Sequence, residues 1–137
     1  MTEAAGIPVA VAVAGANCHD MKMVRETLES IQAERPEPTP EEPQGLCLDK
    51  GYDYPEVHEL AEEFKFTAHI KARGAEAQEL KRKARYKARR WVVERTHSWL
   101  NRFRCILIRW EKRADTYLAL LHLALGIITW RATGLLE

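Results

Sequence analysis

Two carboxylates stand out by what surrounds them. Asp49 closes the apolar stretch Gly45-Leu46-Cys47-Leu48 and is followed directly by Lys50 and Gly51. An ionised acid ending a buried strand is costly unless a cation or hydrogen-bond donors meet it. Glu94 lies near the start of "WVVERTHSWLNRFRCILIRWEKR", residues 91–113, among five arginines and three tryptophans. A strand-end acid and a helix-borne acid beside phosphate-seeking arginines suit Mg²⁺-dependent chemistry on a phosphodiester. Magnesium takes oxygen ligands and keeps waters, and two ions roughly 3.5 to 4 Å apart can activate a nucleophile and stabilise the leaving oxygen. Asp49 and Glu94 are therefore the candidate catalytic and metal-binding residues. Lys50, Arg89, Arg90, Arg95, Arg102 and Arg104 are the candidate contacts to DNA phosphates, where they would add a salt-dependent share of affinity.

Each acid also has a plainer reading. Glu94 is one turn from Arg90 and can make an intrahelical ion pair, and Asp49 can close an Asx-turn. Val93, Leu100, Phe103, Leu107 and Trp110 recur at helical spacing, with Val92, Trp99 and Ile106 widening the stripe, so they are expected in the core rather than stacked on bases. Arg90, Ser98, His97 and Asn101 form a polar strip around Glu94. His19, His58, His69, His97 and His122 show no metal spacing, and neither a nucleophile motif nor a phosphate-cradling glycine loop occurs.

The elements that must position these residues come from one domain-sized chain of 137 residues, 46% hydrophobic and 30% charged, a balance suited to a soluble protein with a core. Residues 71–113 hold 15 Lys or Arg against 4 Asp or Glu, a net of +11, and the remainder holds 6 against 16, a net of −10. A polyanion suits the basic part and not the acidic part. The run "KRKARYKARR" at 81–90 could also be a nuclear-type signal or an RNA-binding arm. Cys18, Cys47 and Cys105 are odd in number and widely spaced, which disfavours disulfides or structural zinc and fits a reducing cytoplasm. "GIPVAVAVAGA" lacks the basic flank of a signal peptide, and the apolar run Tyr117 to Trp130 is short and broken by His122 and Gly126, so neither secretion nor a membrane partner is expected.

Along the chain, Ile7 to Ala14 alternates as a strand. A helix is expected from about Met21 to Ala33, with Asp20 as its N-cap. Residues 35–44 form a proline-rich connection within "ERPEPTPEEP", which carries four of the six prolines. "GLCLD" reads as a short strand ending at Asp49. Pro55 opens the helix "PEVHELAEEF", and "FTAHIKAR" alternates as a strand. A basic segment and two long helices follow, with residues 81–113 covering the basic segment and the helix that carries Glu94. Strand-helix-strand-helix-strand order implies an α/β layer with a partly parallel sheet, whose site lies beyond the carboxyl ends of the strands.

"LCLDKGYDYPEVHEL", "RRWVVERTHSWLNRFRCILIRWEKR" and "ADTYLALLHLALGIITWR" resemble, in order and wording, the C-terminal catalytic half of bacterial insertion-sequence transposases of the Asp-Asp-Glu (DDE) type. The resemblance reaches back through "GIPVAVAVAGANCHD". It implies an α/β, RNase H-like fold, here incomplete and followed by long C-terminal helices, over residues 1–137. It makes Asp49 the second and Glu94 the third metal-binding acid. Arg90 matches the arginine of the signature around the third acid, whereas the signature's tyrosine falls at Lys87, with Tyr86 one place off, and its lysine falls at Asn101. The implied reaction is DNA transposition: Mg²⁺-dependent strand cleavage at each element end, Mn²⁺ being an alternative ion, then transfer of the freed 3′-hydroxyl to target DNA. The implied partners are double-stranded DNA at transposon ends and target, and further copies of the chain when intact.

The resemblance begins at the third strand of the family's sheet. The first acid belongs to the first strand, and Asp20, which follows the third strand, does not match it. Alone, the chain is expected to be inactive and marginally stable, with unpaired strand edges. It is expected to be a frameshift half, a truncated relic or a piece of a longer product. A rival reading is a non-catalytic DNA-binding or regulatory fragment in which Glu94 is only structural; a third, a helical interaction protein built on Tyr117 to Trp130, leaves the +11 segment without a role.

Overall fold

The computed structural model describes residues 1–70 and 90–134, without the side chains of Arg90 and Trp91. Arg89, the basic run before it, Tyr86, Lys87 and the end of "FTAHIKAR" lie outside the described residues. The chain forms two compact units, Met1–Val13 with Arg90–Glu137, and Ala14–Arg89. The described architecture is mixed α/β.

In the second unit, a 3-10 turn, Asp20–Met23, leads into helix α1, Val24–Glu29. The cap is His19 and not Asp20: the imidazole Nδ1 accepts the Met21 N–H at 3.3 Å. The helix ends at Glu29, short of the expected Ala33. Only Val24 and Leu28 of α1 are buried, so the apolar face spans little more than one turn.

Strand β1, Gly45–Leu48, and strand β2, Thr67–Ile70, pair in parallel with Leu46 opposite Ala68 and Cys47 opposite His69. Helix α2, Pro55–Glu63, is the crossover, and Pro55 occupies the first-turn position where its missing N–H costs nothing. α2 closes with a Schellman pattern: Phe66 N–H bonds Ala61 O at 2.7 Å and Lys65 N–H bonds Glu62 O at 2.9 Å. Lys65 takes the left-handed conformation this requires, at φ 59°, where glycine is usual. Its ammonium meets Glu37 at 2.7 Å. The core of this unit is Val24, Leu28, Leu46, Val57, Ala61 and Phe66.

The proline-rich connection is tied down. Arg35 lies over the Phe66 ring at 4.2 Å and donates to Gln44 Oε1 and Phe64 O, both at 3.1 Å. Gln44 donates in turn to Pro36 O at 2.7 Å. Arg25 joins α1 to α2 through two parallel hydrogen bonds to Glu63, at 2.9 and 2.7 Å.

In the first unit the strand expected at Ile7 to Ala14 does not form. The segment makes a single antiparallel bridge, Pro8 to Thr2, closed by Glu3 N–H to Ile7 O at 2.9 Å. Pro8 has no N–H to give a ladder, and backbone groups in a strand need a partner along their whole length. Ala10 is the buried residue and Val13 is exposed, the reverse of a strand turning its valines inward.

Helix α3, Arg90–Leu100, is followed by a short helix α4, Arg104–Leu107, and by helix α5, Ala114–Ala132. The single long helical stripe expected through Trp110 is therefore interrupted. α3 ends in tightened turns, with Arg102 N–H on Trp99 O at 3.2 Å and Phe103 N–H on Leu100 O at 2.9 Å. Val92 and Thr96 face inward, whereas Val93, Leu107 and Trp110 are 51%, 57% and 78% exposed, so those three are not core. α5 contacts α3 and α4 and buries Leu121, Ala124 and Ile128. Among the described residues no helix is long and apolar enough to cross a membrane.

Candidate active site

Asp49 sits one residue beyond the carboxyl end of β1, in extended conformation at φ −79° and ψ 171°. It caps the 3-10 turn Lys50–Tyr52, accepting the Gly51 N–H on Oδ1 at 2.8 Å. The Asx-turn is thus present, and it uses one carboxylate oxygen while Oδ2 makes no hydrogen bond among the described residues. Gly51 is required by closeness: a Cβ there would stand 2.9 Å from Asp49 Oδ1. Lys50 is exposed beside it. The Tyr52 phenol is pushed above its ordinary range first by burial, then by the negative charges of Asp20 and Asp49. Asp20 therefore shares the field around Asp49, a neighbourhood that spacing in the sequence does not reveal.

Glu94 is exposed on α3 and lines a shallow groove with Val93, His97, Ser98 and Asn101. Its carboxylate makes no hydrogen bond or ion pair among the described residues. The expected partner Arg90 begins the helix, and its side chain lies outside the description. Of the polar strip read from helical spacing, His97, Ser98 and Asn101 line the groove with Glu94, and Asn101 is where the resemblance puts the signature's lysine. Asp49 belongs to the second unit and Glu94 to the first.

The arginines differ in how they are held. Arg95 donates to Ala5 O at 3.2 Å and lies 5.7 Å from the Trp99 ring, so part of its donor set anchors the helix. Arg109 stacks on Tyr117 at 4.9 Å, and Arg113 pairs with Asp115 at 3.0 Å. Arg102 and Arg104 are exposed with no ion pair among the described residues. Of the candidate phosphate contacts, Lys50 is likewise exposed with no ion pair among the described residues.

Residue periodicity passed over the group that fixes the Glu94 helix. Thr96 is buried at 5% exposure, and its hydroxyl donates to Gly6 O at 2.6 Å, with Val92 O at 3.3 Å. Gly6 has φ 87°, and a Cβ there would lie 3.2 Å from Arg95 Cδ and 3.3 Å from Val92 O. The N-terminal segment thus clasps the side of α3 away from the groove. A threonine on the inner face of an amphipathic helix was the available signal.

In donor chemistry the two acids fit a hard divalent cation: both present carboxylate oxygen, and neither is engaged by a cationic side chain among the described residues. Among the described residues, however, no group of three or more His, Cys, Asp or Glu is placed to hold a metal ion.

The chain is 35% identical to the protein described as "Putative transposase for insertion sequence element IS402" from Burkholderia cepacia. The match takes in 95% of this chain and 60% of that relative, so the chain spans less than two thirds of the relative's length. No solved structure matches. The model of the family described as "Transposase DDE domain" matches residues 1–128, which is nearly the whole chain, and the chain belongs to that family.

Proposed function

We propose that this chain is the C-terminal part of the catalytic domain of an insertion-sequence transposase, contributing Asp49 and Glu94 to the acid set that cuts and joins DNA. The observation that carries the reading is the state of Glu94. It is exposed and free of cationic partners among the described residues, on a helix whose other side is clasped by Gly6. A glutamate kept only for structure would be expected to use its charge locally.

In the reaction proposed, water oxygen bonds to phosphorus at each element end, the P–O3′ bond breaks, and the 3′-oxygen leaves as a hydroxyl with one proton from water. That 3′-hydroxyl oxygen then bonds to a target phosphorus, and the displaced target 3′-oxygen takes up a proton. Magnesium or manganese, when bound, would activate the attacking oxygen and stabilise the leaving one. Asp49 would offer Oδ2 while its Oδ1 stays on Gly51 N–H, and Glu94 would offer its carboxylate from the α3 groove. Arg102 and Arg104, with Lys50, Arg89, Arg90 and Arg95, would hold phosphates. The fold read from the resemblance is RNase H-like, with double-stranded DNA as substrate and a multimer needed to pair two ends. On the resemblance, no residue here takes the place of the family's first acid, and we infer that the chain alone does not cut.

The test uses labelled duplexes from the DNA flanking the chain's own gene, with Mg²⁺ or Mn²⁺. The chain alone should leave them intact. Adding a polypeptide that supplies the acid-bearing first strand should yield nicks that disappear with Asp49→Asn or Glu94→Gln. Efficient nicking by the chain alone would overturn the incomplete-site reading. The second reading, a non-catalytic DNA-binding or regulatory fragment, keeps the exposed Arg102 and Arg104 for phosphate and leaves Glu94 a helix-surface residue. It expects DNA binding that ignores Mg²⁺ and is unchanged by Glu94→Gln. Under either reading, Arg102→Gln and Arg104→Gln should each lower the log–log salt slope of DNA binding by roughly 1.

A further inference from the structure

We propose that Glu94 and His97 together form a carboxylate–imidazole site for a divalent transition ion such as Mn²⁺, so that His97 is an ion ligand beside the acid. The inference rests on the reading of Glu94 as a metal-binding residue and adds a nitrogen donor to it. His97 has no metal spacing to another histidine; its spacing is to Glu94, three residues earlier on α3, which puts both side chains on one face. Glu-x-x-His at this spacing recurs on helices that bind metal ions inside bundles. Glu94 and His97 line the same groove, and neither side chain makes a hydrogen bond or ion pair among the described residues. Ser98 and Asn101, on the same groove, place a hydroxyl and an amide oxygen where waters of a bound ion could be held.

Two protein donors leave the remaining coordination positions to water or to phosphate oxygen. Imidazole nitrogen suits manganese less than zinc or nickel, but it suits all three better than magnesium. The consequence is selectivity: a site made by Glu94 and His97 holds Mn²⁺ more tightly than Mg²⁺, and the difference comes from the imidazole. Val92 and Thr96 hold the opposite side of the helix, so the two donors stand on a fixed backbone.

The experiment titrates MnCl2 into the full-length chain and follows paramagnetic broadening of the assigned histidine ring signals. His97 should broaden first. His97→Ala and Glu94→Gln should each weaken Mn²⁺ binding by at least about tenfold, a loss that even an outer-shell partner can cause. His58→Ala is the control, since that imidazole is occupied by Asp53 at 3.2 Å. MgCl2 affinity, read by competition, should be unchanged by His97→Ala. If Glu94→Gln weakens Mn²⁺ binding and His97→Ala does not, the imidazole is no ligand and this inference falls, while Glu94 keeps its metal role. If neither variant matters, both readings fall. Loss with His97→Ala alone also overturns the shared site. Both side chains are exposed, and an unchanged circular dichroism spectrum certifies that the variants fold.

Discussion

The clasp between Thr96 and Gly6 gives a stability prediction whose size follows from the geometry. Thr96→Val keeps the shape of the side chain and removes the hydroxyl that reaches Gly6 O at 2.6 Å. Gly6 is buried, and no other hydrogen bond to its carbonyl occurs among the described residues. Leaving such an acceptor without a donor costs about 1–3 kcal/mol, of which the extra buried methyl offsets under about 1 kcal/mol. A net loss of about 1–2 kcal/mol should lower the melting temperature by several degrees. All four tryptophans, Trp91, Trp99, Trp110 and Trp130, lie in the first unit, so urea unfolding followed by tryptophan fluorescence reads this unit selectively. The midpoint should fall with an unchanged slope. Thr96→Ser, which keeps the donor and deletes one methyl, should leave the Gly6 carbonyl carbon shift near its original value, whereas Thr96→Val should move it. Equal midpoints for the wild-type chain and Thr96→Val, or a Gly6 carbonyl shift that ignores the hydroxyl, would refute the clasp.

Asp49 separates folding from chemistry. Asp49→Asn keeps an oxygen for Gly51 N–H and should change stability by less than about 0.5 kcal/mol, whereas Asp49→Ala removes the cap and should cost about 1 kcal/mol. Both variants should abolish the strand cutting proposed above, and equal stability losses for the two would remove the capping role. The exposed pair Arg25–Glu63 predicts a pH effect. The Arg25 guanidinium bonded to Glu63 lowers the carboxyl below its usual range. A depressed folded-state value stabilises the fold above the unfolded glutamate range near about 4.3 and is lost as pH falls through the folded value. The urea midpoint of the second unit, followed by far-ultraviolet dichroism, should therefore drop below about pH 4, less steeply in Glu63→Gln and in high salt. An identical acid profile in that variant would show the pair to be inert.

What could be read from the sequence is what short-range chemistry decides. The strand before Asp49, the turn it caps and the proline-opened helix α2 all lie within 19 residues, from Gly45 to Glu63, and each is signalled by neighbours. Ile7 to Ala14 failed for the opposite reason. Its alternation is real, but a strand exists only where another chain segment completes its ladder, and Pro8 and Thr2 supply one bridge. The stripe on "WVVERTHSWLNRFRCILIRWEKR" failed by a small rotation with a large consequence. Periodicity counts apolar residues, so it turned both Val92 and Val93 inward; the fold buries Val92 together with Thr96, whose hydroxyl meets a backbone carbonyl from a segment 90 residues earlier. The same rotation leaves Glu94, His97 and Asn101 on the open side. The polar contact that composition could not foresee is thus what presents the acid, and a change at Thr96 should disturb Arg95, which holds Ala5 O on the same clasp, as well as Glu94.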